Sequence, residues 1–173
     1  MITTTETRFP EHEQGSASGH AGRLLDDIYE RHGSAGHMVR TMASSPAVLA
    51  GYLDLSRAAK RVSLDRRLSE QVSIAVQATL GCDTCLDAHI SAARTAGVAD
   101  HDIELAKSGT ASAPDAAALV DFALQVLVAP GQIDDAAIQA LRDAGFSDRQ
   151  VLDVIAIVSL NFLTGTFNLV ASI

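Results

Sequence analysis

Apolar residues recur at three- and four-residue intervals along most of this chain, the period of helices with one buried face. The pattern predicts a first helix from Leu24 to Arg31 that ends near Gly33, then a short helical piece to about Met42. Ser45-Pro46 supplies a cap and a first-turn proline, so a helix is expected from there to about Lys60. Asp65 is placed to cap the next helix, whose Leu68, Val72, Ala75, Val76 and Thr79 keep helical spacing until Gly81 breaks the run. Gly97 and Asp100 are expected to end one helix and cap another. Pro114 opens a helix with Leu119, Phe122, Ala123, Val126 and Leu127 on one face, and Pro130-Gly131 ends it. The final stretch, from Val151 to Ile173, is apolar nearly all round, which predicts burial on more than one side, the second side supplied either by a partner subunit or by the chain's own core around a central helix. Asp153, Asn161 and Asn168 argue against a membrane span there, and Thr164-Gly165 is a candidate kink.

One piece of punctuation is used twice. Ile90, Ala92, Arg94, Ala96, Gly97 and Asp100 match Ile138, Ala140, Arg142, Ala144, Gly145 and Asp148, which suggests a duplicated helix-turn-helix unit. Only the first copy contains cysteines, so the second is expected to be structural. Residues 1–22 are polar, with Pro10 and a Gly/Ser cluster, and read as a mobile arm; residues 23–173 are then one domain. His12 and His20 have no ligand-type neighbours at useful spacing and are read as surface histidines.

Composition narrows the function classes. With 173 residues, 47% of them hydrophobic and only 4% aromatic, the chain can build a sizeable core from small aliphatic side chains. A formal net charge of −8 disfavours nucleic acid and anionic membranes as main partners. The basic residues Arg57, Lys60, Arg61, Arg66 and Arg67 read as a solvated turn, with a docking patch for an acidic partner as the sharper alternative. The first residues lack the apolar segment of a signal peptide, so a cytoplasmic location is expected, where a C-x-x-C pair cycles between thiol and disulfide more readily than it serves as a staple.

The chemistry concentrates between Glu70 and His89. On a helix turning about 100° per residue, positions 82, 85 and 89 fall within roughly 60°, so the thiols of Cys82 and Cys85 share a face with the His89 imidazole. If the chain folds back at Gly81, Glu70 lies eleven residues before the turn and His89 eight after it. The axial mismatch is then roughly 4.5 Å, which side chains can span. Glu70 can therefore orient His89, and His89 can take a proton from Cys85. A helix start at Cys82 lowers thiol pKa values, while Asp83 partly offsets that push. The dipole favours Cys82 as the attacking thiol. The base favours Cys85, because Cys82 stands seven residues, about 10.5 Å along the axis, from His89. Direct proton transfer outweighs a dipole worth about 1 kcal/mol, which selects Cys85 as nucleophile and Cys82 as resolving thiol.

The pattern Glu70-x11-Cys82-x-x-Cys85-x3-His89 resembles the signature of AhpD-like alkylhydroperoxidases, within the carboxymuconolactone decarboxylase superfamily. The resemblance extends to Ser45-Pro46 with Tyr52 and Leu53, to Leu64–Arg67 leading into Glu70, and to Asn161 and Asn168, and covers most of Leu24 to Val170. It implies an all-α AhpD-like helical domain, a homo-oligomer, and thiol-dependent reduction of hydrogen peroxide or organic hydroperoxides. In that cycle Cys85 takes the oxygen and Cys82 closes the disulfide, without cofactor or metal. A dihydrolipoyl group or thioredoxin-like protein is then the expected reductant. Many close relatives carry His or an aromatic residue before the second cysteine, where this chain has Thr84. Two other readings stay open: a structural zinc site from Cys82, Cys85, His89 and Glu70, although structural zinc usually recruits a second Cys/His pair, and incidental cysteines on a scaffold. The superfamily's decarboxylases act on lactone acids and do not share the cysteine pair.

Overall fold

The computed structural model describes residues 7–173, which form nine α-helices and one 3-10 turn, with no strand among the described residues. The chain divides into two compact units, one running up to Arg57 and including Thr166–Ile173, the other Ala58–Gly165.

The first unit holds α1 (Gly19–His32), α2 (His37–Met42) and most of α3 (Pro46–Ala59). Ala21, Leu25, Met42, Ala43 and Leu49 form its core, with Tyr52, Leu53 and Phe167 packed against them. Residues 1–6 of the expected arm lie outside the described residues. The remainder of that arm is tied to the unit: the Arg8 amide donates to the Ala171 carbonyl (3.1 Å) and the His12 amide to the Arg40 carbonyl (3.1 Å). Arg40 also pairs with both Glu11 and Glu13. Helix α1 begins at Gly19, ahead of the expected Leu24, because its first turn buries only the small residues Ala21 and Gly22, which leave no large apolar side chain for a periodicity argument to find.

The second unit is organised around α4 (Arg66–Leu80), which packs against α5 (Asp83–Thr95), α6 (Asp100–Lys107) and α7 (Pro114–Val128). Every residue from Glu70 to Gln77 is buried. One side of α4, through Val72, Ala75 and Val76, joins a large core with Leu119, Phe122, Leu141, Val154 and Val158. The other side sends Ile74 into a smaller core with Ala93, Val98, Ile103 and Ala106. Burying an aliphatic side chain of this size contributes about 1.5–3 kcal/mol, so these two cores fix α4 from opposite directions. Asp65 caps α4 as expected, its Oδ1 accepting from the Arg67 amide at 2.8 Å. After α7 and a 3-10 turn at Pro130–Gln132 come α8 (Asp135–Asp143) and α9 (Asp148–Ala171).

The internal repeat is a real structural unit. Both copies turn on a left-handed glycine, Gly97 at φ 85° and Gly145 at φ 95°. Both latch it with the same ion pair, Arg94 Nε to Asp100 Oδ1 at 2.9 Å and Arg142 Nε to Asp148 Oδ1 at 2.7 Å. The carboxylate of Asp100 thus faces back to the preceding helix and does not cap α6, whose N-cap is Ala99 with no side-chain cap bond.

Helix α9 runs unbroken through Thr164-Gly165. By length and composition it is the one described helix capable of crossing a membrane. Within the second unit Val151, Val154, Ile157, Val158 and Asn161 are buried, while Leu152 and Phe162 are 64% and 51% exposed. A helix expected to be covered all round is therefore covered by its own chain on one side only.

Candidate active site

The α4–α5 hairpin puts its cysteines in place through backbone geometry. Gly81 takes the left-handed conformation (φ 75°) that lets the chain reverse without strain. Its amide donates to the carbonyls of Gln77 and Ala78, and the next amide, of Cys82, donates to Gln77 (3.2 Å). The Gln77 carbonyl therefore fixes Cys82 directly. Cys82 is the N-cap of α5 and Cys85 lies in its first turn, with Cα atoms 5.4 Å apart and a disulfide joining them. Both residues are buried, at 3% and 8% exposure, and both sit where a helix N-terminus favours negative charge. Asp83, exposed in the same turn, opposes that field.

The same hairpin brings Glu70 beside His89. Glu70 Oε2 lies 2.8 Å from His89 Nδ1, while Arg66 Nε donates to Glu70 Oε1 at 2.6 Å. Glu70 is 6% exposed. Burial pushes its carboxyl upward, but the hydrogen bond and charge of His89, with the charge and hydrogen bond of Arg66, outweigh burial and hold it below the usual glutamate range. The carboxylate is thus ionised at neutral pH and can only accept. The Nδ1 of His89 must carry the proton it donates, and Nε2 is the nitrogen that can take one from a thiol.

All four residues expected from the sequence, Glu70, Cys82, Cys85 and His89, thus fall on one helical hairpin. Arg66 was not among them, since it stood in a run of basic residues read as solvated. Its spacing of four from Glu70 on a helix was the available signal. Within the basic run three side chains have acidic neighbours: Arg57 pairs with Asp54, Arg66 with Glu70 and Arg67 with Asp65. Gln77 is the other residue missed, a fully buried polar side chain whose Nε2 donates to Asn161 Oδ1 at 2.8 Å. Among the described residues no group of three or more His, Cys, Asp or Glu side chains is arranged to hold a metal ion.

A model of the carboxymuconolactone decarboxylase family matches residues 46–129, a segment that contains α3 to α7 and both cysteines. No curated protein sequence matches the chain. Among solved structures it is similar to an alkylhydroperoxidase AhpD core, a peroxidase-related protein from Ralstonia eutropha JMP134 (TM-score 0.81, 22% identity, 96% of this chain and 90% of that one). It is also similar to a peroxidase-related protein from Silicibacter sp. TM1040 (TM-score 0.72, 18% identity, 98% and 92%). A third is a debrominase bound to 2,3,4-tribromopyrrole (TM-score 0.73, 14% identity, 96% and 92%). At these identities the likeness is one of fold.

Proposed function

From a chain that has the AhpD-like fold and whose residues 46–129 match the carboxymuconolactone decarboxylase family model, we propose a thiol-dependent peroxidase acting on hydrogen peroxide or organic hydroperoxides. The observation that supports this most strongly is the Glu70–His89 contact of 2.8 Å on the hairpin whose α5 start carries both cysteines. A carboxylate that fixes an imidazole, with the imidazole one turn beyond a thiol, is the orienter–base–nucleophile arrangement that activates cysteine.

In the proposed cycle His89 Nε2 accepts the Cys85 proton, and the thiolate attacks the nearer peroxide oxygen. The O–O bond breaks, the leaving oxygen departs as water or an alcohol after taking a proton, and Cys85 is left as a sulfenic acid. Cys82 then attacks that sulfur, the hydroxyl leaves as water, and the Cys82–Cys85 disulfide closes. An external dithiol returns two electrons and two protons by exchange through a mixed disulfide. A dihydrolipoyl group or a thioredoxin-like protein is the class of reductant this requires. Arg66 serves as a positioning residue, because its bond to Glu70 Oε1 leaves Oε2 for the histidine.

The experiment is peroxide consumption by purified protein with excess dithiol between about pH 6 and pH 9, using hydrogen peroxide and an alkyl hydroperoxide in parallel. Steady consumption that disappears in Cys85→Ser supports the reading. No consumption of either peroxide across the range contradicts it.

A further inference from the structure

Ser73 and Gln77 of α4 are joined to Asn161 of α9 by one chain of hydrogen bonds inside the second unit. Gln77 Nε2 donates to Asn161 Oδ1 (2.8 Å) and to the Asn161 carbonyl (3.1 Å). Asn161 Nδ2 donates to Ser73 Oγ and to the Ile157 carbonyl, both at 3.0 Å, and Ser73 Oγ donates onward to the Ser69 carbonyl (2.8 Å). All three side chains are buried, Gln77 completely. The same Gln77 holds Cys82 through its backbone. Gly81 and Cys82 close α4 in a Schellman turn, the amide of the second residue past the helix returning to a carbonyl in its last turn. That carbonyl is the one of Gln77, and it accepts from the amides of both Gly81 (3.0 Å) and Cys82 (3.2 Å). One residue therefore ties α9 to the first cysteine.

Stability alone does not explain a glutamine here. Its Oε1 is buried without a hydrogen-bond partner, a cost that an apolar side chain of similar length would spare. It also requires Gly165, because a Cβ there would lie 2.5 Å from Oε1. What the amide supplies and apolar packing does not is direction, since apolar burial is non-directional while a hydrogen bond fixes distance and angle. Direction matters more at Cys82 than at Cys85. Cys85 sits inside the first turn of α5, where the helix itself sets its position, whereas Cys82 is the N-cap, at φ −89° and ψ 89°, outside helical geometry. Its place thus depends on the turn that Gln77 holds.

We infer that Gln77 is a positioning residue for Cys82, and that the clamp formed by Ser73, Asn161 and Gln77 sets how far the Cys82–Cys85 disulfide resists reduction. An external dithiol opens that bond in two exchanges. One of its thiolates attacks a cysteine sulfur to form a mixed disulfide, and its second thiolate then displaces the protein sulfur from that bond. Both cysteines are left as thiols, having gained two electrons and two protons, and the dithiol leaves as a cyclic disulfide. The equilibrium constant of this exchange reports the effective concentration of one cysteine at the other, which rises when both are held in place. Loosening Cys82 lowers it and moves the balance toward the thiols. A contact that only stabilised the fold would support the thiol and disulfide forms alike and leave the balance where it is. The inference needs the disulfide alone, whatever oxidant closes it.

Purified protein equilibrated without oxygen against varied ratios of reduced and cyclic dithiothreitol tests it, the thiol and disulfide forms being counted by alkylation and mass spectrometry. The decisive variant is Gln77→Met combined with Asn161→Leu, because replacing both partners of a buried hydrogen bond by apolar groups of similar size nearly preserves stability. Its exchange equilibrium should move about tenfold toward the thiols, with a thermal midpoint close to that of the wild type. Val154→Ala is the control: a cavity in the core should lower the midpoint and leave the equilibrium unchanged. If the double variant does not fold, Ser73→Ala, which removes one oxygen from the clamp, should move the equilibrium about threefold. A wild-type equilibrium in the folded clamp variants overturns the inference, as does an equal shift in Val154→Ala. Protein that exchanges as expected yet consumes no peroxide upholds this inference and contradicts only the peroxidase reading.

Discussion

Glu70 shows how a single side chain sets the chemistry around it. A lone buried carboxylate would be expelled or protonated, yet the pair of contacts from His89 and Arg66 keeps it charged. Because its folded-state value lies below its ordinary value of 4.5, its contribution to stability is present above that pH and is lost as pH falls through the lower folded-state value. Glu70→Gln should therefore flatten the loss of stability between about pH 5 and pH 3, read as the unfolding free energy at each pH. It should also lower peroxide turnover on the order of 10²-fold and shift the pH–rate profile, because the imidazole loses its fixed tautomer. An unchanged profile and rate would remove Glu70 from the proton path. Arg66→Gln is expected to cost only a few-fold in rate, since its side chain is largely exposed and screened. That Glu70 meets His89 and that Cys82 neighbours Cys85 was legible because each pairing follows from a spacing. Arg66 was harder to single out, because its i,i+4 spacing from Glu70 is shared with the ordinary surface ion pairs of any helix.

Among the elements, α4 and α9 show where periodicity stops being informative. Helix α4 is buried around its circumference, but Glu70, Gln71, Ser73 and Gln77 interrupt the apolar pattern that would have announced it. Most of their polar atoms are accommodated by hydrogen bonds invisible in the sequence, Gln71 Oε1 and Gln77 Oε1 being the exceptions. Gln77 Nε2 donates to Asn161, and Asn161 Nδ2 donates to Ser73 Oγ at 3.0 Å. Gly165 allows this close approach, since a Cβ there would lie 2.5 Å from Gln77 Oε1 and 2.8 Å from Leu80 Cδ1. Two magnitudes compete in Gly165→Ala. Helix propensity favours alanine by about 1 kcal/mol, while overpacking costs about 1–3 kcal/mol. Overpacking should win, so denaturant unfolding is expected to show net destabilisation. A more stable Gly165→Ala protein would mean that Gln77 has another place to go. The hairpin at Gly81 was legible from a glycine that ends an apolar run, and the duplicated turn at Gly97 and Gly145 from six matched positions in each copy. The role of Asp100 was not, because a cap and an ion-pair partner look alike in sequence.

For the whole molecule, helical character was legible from Leu24 onward, whereas the division into two compact units was not, because it depends on which distant faces meet. The apolar residues Val128, Leu152, Ile155 and Phe162 all lie exposed in the second unit, at 69%, 64%, 40% and 51%. Leu152, Ile155 and Phe162 recur at helical spacing on α9, a stripe of the kind that marks an association surface. We propose that a second copy of the chain covers it. Light scattering should then give a multiple of the chain's mass, and Leu152→Glu combined with Phe162→Glu should return a folded single chain. A wild-type monomer would leave the stripe without this partner.

The most direct test of the peroxidase reading follows the oxygen atom. Reduced Cys82→Ser and Cys85→Ser proteins are each treated with one equivalent of peroxide and a sulfenic-acid-selective reagent, and adducts are located by mass spectrometry. A rapid adduct on Cys85 in Cys82→Ser, with little or none on Cys82 in Cys85→Ser, is the predicted result, because only Cys85 stands one turn from the base. Rapid trapping on Cys82 alone, or on neither cysteine, would contradict it.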